Sequence, residues 1–191
     1  HEGYGMTEIA PISGTNGLTG VRPGSVGKAV PCNEVQVVDL ETGARVLPPG
    51  ERGEVRVRGP HMMVGYRGRP EETAQTVRGG FVYTGDIGHL DADGFLFITD
   101  RKKDVVLVKG FNVFPREVEE AIYAHPKVAA AGVVGAPDPR TGGERLVAYV
   151  VPRESEALSE AEIAAHCAER LVGYKVPDDI RGVEALPMTG A

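Results

Sequence analysis

One short charge cluster, "DRKKD" at 100–104, marks a change in residue pattern that limits the fold more than any other feature of the chain. Before it, apolar and polar residues alternate with the period of strands. "GEVRVRG" (53–59) alternates strictly, "NEVQVVDL" (33–40) roughly, with a turn at "ETG" between them. "IGHLDADGFLFITD" (87–100) reads as a hairpin turning at Asp93-Gly94, with Phe95, Phe97 and Thr99 on one face. A short helix is expected at "RPEETAQTV", where Pro70 suits the first helical position and Glu71 and Glu72 favour the helix dipole.

After the cluster, strands and helices take turns. "DVVLVKG" is a strand, and "PREVEEAIYAH" is a helix opened by Pro115 with Val118, Ala121 and Ile122 on one face. "VAAAGVVGA" is a buried strand or an apolar connector, and "RLVAYVVP" is a strand. "LSEAEIAAHCAERL" is a helix with a capping box of Ser159 and Glu162 and a seam of Ile163, Cys167 and Leu171; "DIRGVEAL" closes with a strand. This β-α-β-β-α-β order describes an α+β unit of roughly 85 residues, within the usual domain range. The boundary is placed at the cluster, giving parts 1–102 and 103–191. The first thirty residues, dense in Gly, Thr, Ser and Pro, read as loop, and a loop that long in a compact domain is expected to be functional.

Composition narrows the function. A net charge of −6 argues against a nucleic-acid binder, and 41% hydrophobic residues suffice for a packed core. Arg101, Lys102 and Lys103 lie between Asp100 and Asp104, so the cluster supplies too little net field for a polyanion-binding module. Two cysteines, Cys32 and Cys167, make no disulfide framework; they read as small core hydrophobes in a protein of a reducing compartment. The longest apolar stretch (128–136) is far below the ~18 residues of a membrane span. The chain begins on His1 and stops at "PMTGA", and both ends read as cut.

Two segments carry candidate chemistry. "GYGMTE" (3–8) combines an aromatic ring, flexible backbone, a hydroxyl and a carboxylate. It suits stacking on a base, donation to a phosphate oxygen and a hard cation on Glu8, or equally a surface turn with a capping Thr. "YTGD" (83–86) puts an acid after a Thr-Gly turn at a strand end, either an acceptor for vicinal sugar hydroxyls or a plain turn aspartate.

Taken together, "GYGMTE", "GEVRVRGPHMMVGY", "YTGD", "DRKKD", "KGFNVFPREVEE", "YKVP" and the terminal "PMTG" occur in an order that resembles the adenylate-forming superfamily of acyl–coenzyme A synthetases, peptide-synthetase adenylation domains and luciferases. The resemblance implies the C-terminal, β-rich portion of a large α/β domain, followed by a small mobile α+β domain. It also implies a two-step reaction: a carboxylate and ATP give acyl-adenylate and pyrophosphate, then a thiol displaces AMP. Carried onto this sequence, Tyr4 stacks on adenine beside Gly5, Thr7 donates to the α-phosphate, and Glu8 binds Mg²⁺. Asp86 and Arg101 hold the ribose. Lys103 is the hinge, and Lys109, Gly110 and Phe111 approach the acyl-adenylate and the thiol tunnel. Glu54 and Tyr66 fall in the "GE…GY" stretch and read as structural; Tyr174 and Lys175 match the "YK-P" stretch near the nucleotide-facing side of the small domain.

"GFNVFPREVEE" is most like fatty-acid–coenzyme A ligases. Malonate-type and aromatic-acid ligases share the pattern, and a non-catalytic homologue acting as a scaffold is the alternative of another class. ATP, Mg²⁺ and coenzyme A are the implied cofactors, in a cytoplasmic monomer or homodimer, with peripheral membrane contact left open. The family's phosphate-binding loop lies upstream and its adenylating lysine downstream of this chain; neither Lys109 nor Lys175 is that lysine. The polypeptide alone is therefore expected to be inactive.

Overall fold

The computed structural model describes residues 2–14, 20–154, 156 and 158–187. The terminal "PMTG" motif, from Met188 on, lies outside the described residues. The chain divides into two compact units, His1–Lys102 and Lys103–Ala191. Among the described residues no helix is long and apolar enough to cross a membrane.

The first unit holds two sheets. The smaller runs in the order β1 (Gly3–Met6), β2 (Ala10–Gly14), β3 (Lys28–Ala29), so the opening thirty residues are not one loop. Their strands are short and rich in Gly and Pro, which hides the two-residue period. Ile9 and Ile12 nevertheless bring them into the core with no exposed surface. The larger sheet joins β4 (Glu34–Val38), β5 (Gly53–Arg58), β6 (Val77–Arg78), β7 (Phe81–Leu90) and β8 (Leu96–Arg101), with β7 pairing to β5, β6 and β8. The expected short helix, α1 (Pro70–Thr76), precedes β6 and has Pro70 in its first turn. Val37, Val55, Val57, Val82 and Leu96 pack with Ile9 and Ile12 to form this unit's core.

The expected β7–β8 hairpin forms, its turn drawn together by the Asp91 carboxylate, which accepts from the backbone N–H groups of Asp93 and Phe95. Cys32 departs from the reading of the cysteines. It is exposed with φ +71°, at the third position of a turn closed by Asn33 N–H on Val30 C=O with Pro31 second. That is the type II pattern, which places its third residue at positive φ and here holds Cys32 out of the core. Cys167 is buried as expected.

The second unit starts with the hairpin β9 (Val106–Val108) and β10 (Phe111–Val113), followed by α2 (Pro115–Tyr123), β11 (Val128–Pro137), β12 (Glu144–Pro152), α3 (Glu160–Ala168) and β13 (Asp179–Gly182). β12 is central, antiparallel to β11 and parallel to β13. "VAAAGVVGA" is thus a strand, as one of the two readings had it. Val118 and Ile122 of α2 and Ile163 and Cys167 of α3 meet Val133, Leu146, Ala148 and Val150 in the core. The cap of α3 is half of the expected box: Ser159 Oγ accepts from Glu162 N–H at 3.1 Å, while the Glu162 carboxylate pairs with Lys127 Nζ at 2.9 Å.

Candidate nucleotide site

The β7 segment "YTGD" is not a turn at a strand end but a bulge inside a strand. Glu54 pairs with Ile87 and Arg56 with Tyr83, so Thr84, Gly85 and Asp86 face the single residue Val55. Bulges of this kind re-aim a side chain. Thr84 seals this one, its Oγ1 donating to Val55 C=O at 2.8 Å and accepting from Asp86 N–H at 3.1 Å. The carboxylate so placed is 6% exposed.

Two groups converge on the Asp86 carboxylate. Tyr4 Oη, from β1, donates to Oδ2 at 2.5 Å. Burial, and then this hydrogen bond, push the Tyr4 phenol well above its ordinary value, so it stays a donor. Arg101, directly opposite on β8, brings Nε to 2.9 Å from Oδ1. That contact is an ion pair without hydrogen-bond alignment, and Oδ1 is a buried acceptor that receives no hydrogen bond. Buried carboxylate oxygens are normally hydrogen-bonded, and one held by an ion pair alone has acceptor capacity to spare.

The other half of the site is the turn joining β1 and β2. Thr7 is exposed there and Glu8 half-buried. Gly5 pairs with Pro11 beside a register shift, and a Cβ on it would stand 2.5 Å from the Ala10 carbonyl oxygen. Its glycine is required by the approach of two strands, which is a role in shaping the turn. Tyr66 Oη donates to Glu8 Oε1 at 2.6 Å, and Met63 N–H donates to the Glu8 carbonyl at 2.8 Å. The hydrogen bond to Glu8 also raises the Tyr66 phenol above its ordinary value. Tyr66, read from sequence as structural, therefore holds the candidate metal carboxylate. No periodicity could have signalled a contact across 58 residues.

Among the described residues no group of three or more His, Cys, Asp or Glu side chains is arranged to hold a metal. Mg²⁺ does not need one, because it keeps several waters and takes one or two carboxylates plus substrate phosphates. Glu8, half-exposed with one oxygen steadied by a phenol, fits that donor set.

Glu54, also read as structural, is 3% exposed, and its Oε2 accepts from Lys102 Nζ at 2.6 Å, with Arg78 Nη2 at 3.8 Å. Arg101 and Lys102 are thus both tied within the first unit. Lys103 follows, exposed, in a 3-10 turn over Lys102–Asp104.

Lys109, Gly110 and Phe111 lie in the second unit, where Lys109 and Gly110 are the two-residue loop of the β9–β10 hairpin. Their φ values, +52° and +85°, are those of a type I′ turn, which suits the twist of the flanking strands. Lys175 Nζ is held by Glu117 Oε1 and Oε2 at 2.6 and 2.8 Å, so its charge serves an ion pair of this unit.

A bulge that sets a buried acid between a phenol and an arginine, and a turn offering a hydroxyl and a carboxylate, are the groups a nucleotide site needs. The AMP-binding enzyme family matches residues 1–67, and the AMP-binding enzyme C-terminal domain matches residues 117–191. The chain belongs to the AMP-binding, adenylate-forming enzyme family. It is 41% identical to the long-chain-fatty-acid–CoA ligase of Bacillus subtilis over 98% of this chain and 33% of that protein. Identity to the feruloyl-CoA synthase of an Amycolatopsis species is also 41%, over 100% of this chain and 38% of that one. ATP-bound MatB from Rhodopseudomonas palustris superposes with a TM-score of 0.90 at 38% identity, over 98% of this chain and 37% of MatB. The chain thus spans about a third of the length of the curated relatives it matches.

Proposed function

We propose that the complete protein is an AMP-forming acyl–coenzyme A ligase acting on a fatty acid, and that this chain supplies its adenosine and Mg²⁺ contacts and its hinge. The observation that carries the reading is the buried, unbonded Oδ1 of Asp86. A ribose diol is a pair of neighbouring donors, and a buried carboxylate accepts from it without competing for phosphate. Arg101 limits the cost of keeping that carboxylate charged, and the Tyr4 ring beside it offers a face for adenine. Mg²⁺, when bound, neutralises charge on the triphosphate; Glu8 would hold it, and Thr7 on the same turn would donate to the α-phosphate. Lys109, Gly110 and Phe111 would approach the thiol in the second half-reaction. Catalysis of this kind rests on placement and charge rather than on covalent chemistry by the protein.

The acyl class is tested on the complete protein with ATP, Mg²⁺ and coenzyme A, offering long-chain fatty acids, short dicarboxylates and aromatic acids. AMP release and thioester formation with the fatty acids at the highest kcat/KM is the expected result. Preference for hydroxycinnamates would replace the fatty-acid reading with the aromatic-acid one, which the equal identity to a feruloyl-CoA synthase supports. No AMP release with any acid would mean a non-catalytic homologue.

The Tyr66–Glu8 hydrogen bond gives a separate test. In the complete enzyme, Tyr66→Phe is expected to raise the Mg²⁺ concentration for half-maximal adenylation about three- to tenfold, the scale of one ordinary net hydrogen bond, because this one is only part-buried. An unchanged Mg²⁺ dependence would separate Tyr66 from the metal.

A further inference from the structure

The β9–β10 hairpin has three residue pairs and a two-residue loop, and a two-stranded ribbon that small is marginal by itself. One face is fixed from within, at the base by Val106 and Val113 and beside the loop by Val108, all at most 3% exposed in the core of the second unit. One edge is held as well, Leu107 N–H donating to Glu144 Oε2 at 2.8 Å. The loop itself and the strand leaving it are different. Lys109 and Gly110 are exposed, and Phe111, the first residue after the loop, is 53% exposed. Its ring stacks on Tyr174, with centroids 4.5 Å apart and planes 18° from parallel.

Tyr174 is well anchored for this task. It lies in the 3-10 turn Gly173–Lys175 and packs against the unit's core from the side. The next residue, Lys175, is clamped to Glu117 in the first turn of α2, the helix that β10 leads into. Both ends of the stack therefore refer to one rigid piece of backbone.

We propose that Tyr174 is a positioning residue for thioester formation: its ring, through Phe111, sets where the Lys109-Gly110 loop stands. The inference rests on the reading that this loop approaches the thiol. It requires an aromatic face at 174 and no hydroxyl, which separates it from a hydrogen-bonding or general packing role.

The test uses the complete enzyme, with three measurements: ATP–pyrophosphate exchange, thioester formation from preformed acyl-adenylate, and amide hydrogen exchange over residues 107–113. Tyr174→Phe should behave as the parent in all three. Tyr174→Leu, which keeps apolar packing and loses the stack, should leave ATP–pyrophosphate exchange unchanged and slow thioester formation about tenfold, the scale set by one aromatic pair. Hydrogen exchange at the hairpin end should quicken in Tyr174→Leu alone. Equal loss of both half-reactions in Tyr174→Leu, or a Tyr174→Phe variant as slow as Tyr174→Leu, would overturn the inference, as would unchanged hydrogen exchange. Quicker hydrogen exchange with an unchanged thioester rate would instead remove the loop from the thiol chemistry, leaving the stack as a support for the hairpin and ending the role proposed here.

Discussion

Replacing Lys103 by proline in the complete enzyme is expected to leave ATP–pyrophosphate exchange nearly intact and to slow thioester formation about a hundredfold, the order lost when reacting groups are misplaced by about an ångström. The reason lies in the three residues that enter the joint. Arg101 is paired to Asp86 at 2.9 Å, and Lys102 to the buried Glu54 at 2.6 Å. In both pairs the carboxylate is buried while the cation is partly exposed, so each tie is moderate, and together they hold the chain up to Lys102 to the first unit. Lys103 is the first residue past those ties, exposed, in a single 3-10 turn between two compact units. A pivot needs a residue that can exchange backbone states while it stays solvated.

Proline at 103 fixes φ near −65° and disfavours helical backbone at Lys102, so the segment loses conformers without losing a buried contact. A two-position mechanism then keeps one half-reaction at the expense of the other. Both half-reactions falling together would argue for general damage to the first unit, and both surviving would move the hinge elsewhere. Lys103→Ala is the control, expected to be near the parent because alanine restricts φ far less.

What the sequence revealed, and what it concealed, follows from the range of the interactions. Pro115 opening α2, Ser159 capping α3, and the Asp93-Gly94 turn are local signals acting over a few residues, and each element formed where its signal stood. The site divides differently. Its residues were recognisable only as an ordered series of motifs, each of which alone fits an ordinary turn. "YTGD" looked like a turn because Thr-Gly-Asp is turn chemistry; only the partner strand, with Val55 opposite three residues, reveals a bulge. β10 carries no readable period because its three residues, closely followed by Pro115, are too few to show one. The contacts that orient functional groups span the chain: Tyr4 to Asp86, Tyr66 to Glu8, Phe111 to Tyr174. Pairing across such distances depends on the register of several strands at once, which no window of sequence contains. Glu54 illustrates the point: it reads as structural from its motif, but its burial against Lys102 appears only in the fold.

Asp86→Ala in the complete enzyme is expected to weaken ATP binding by about 1–3 kcal/mol, the usual cost of deleting a buried hydrogen-bonding group. That corresponds to roughly a fivefold to 150-fold rise in the ATP dissociation constant. Two effects oppose each other. The variant removes a negative charge from a site for an anion, which by itself favours ATP, but the ribose end of the nucleotide is the part remote from the phosphates. It also removes the acceptor itself and deprives Tyr4 Oη of its partner, so the phenol that would stand beside adenine is no longer held. The second effect outweighs the first because it acts at hydrogen-bond distance on a buried residue, while the first acts across screened solvent. Asp86→Asn separates the contributions: it keeps the shape and one acceptor oxygen but gives a donor where Tyr4 or the ribose already donates, and should fall between the parent and Asp86→Ala. Calorimetric titration of ATP, with thermal unfolding as the check on the fold, reads all three proteins. Unchanged ATP affinity in a stably folded Asp86→Ala would reduce this carboxylate to a tie between β1, β7 and β8, and the nucleotide reading of the bulge would have to be given up.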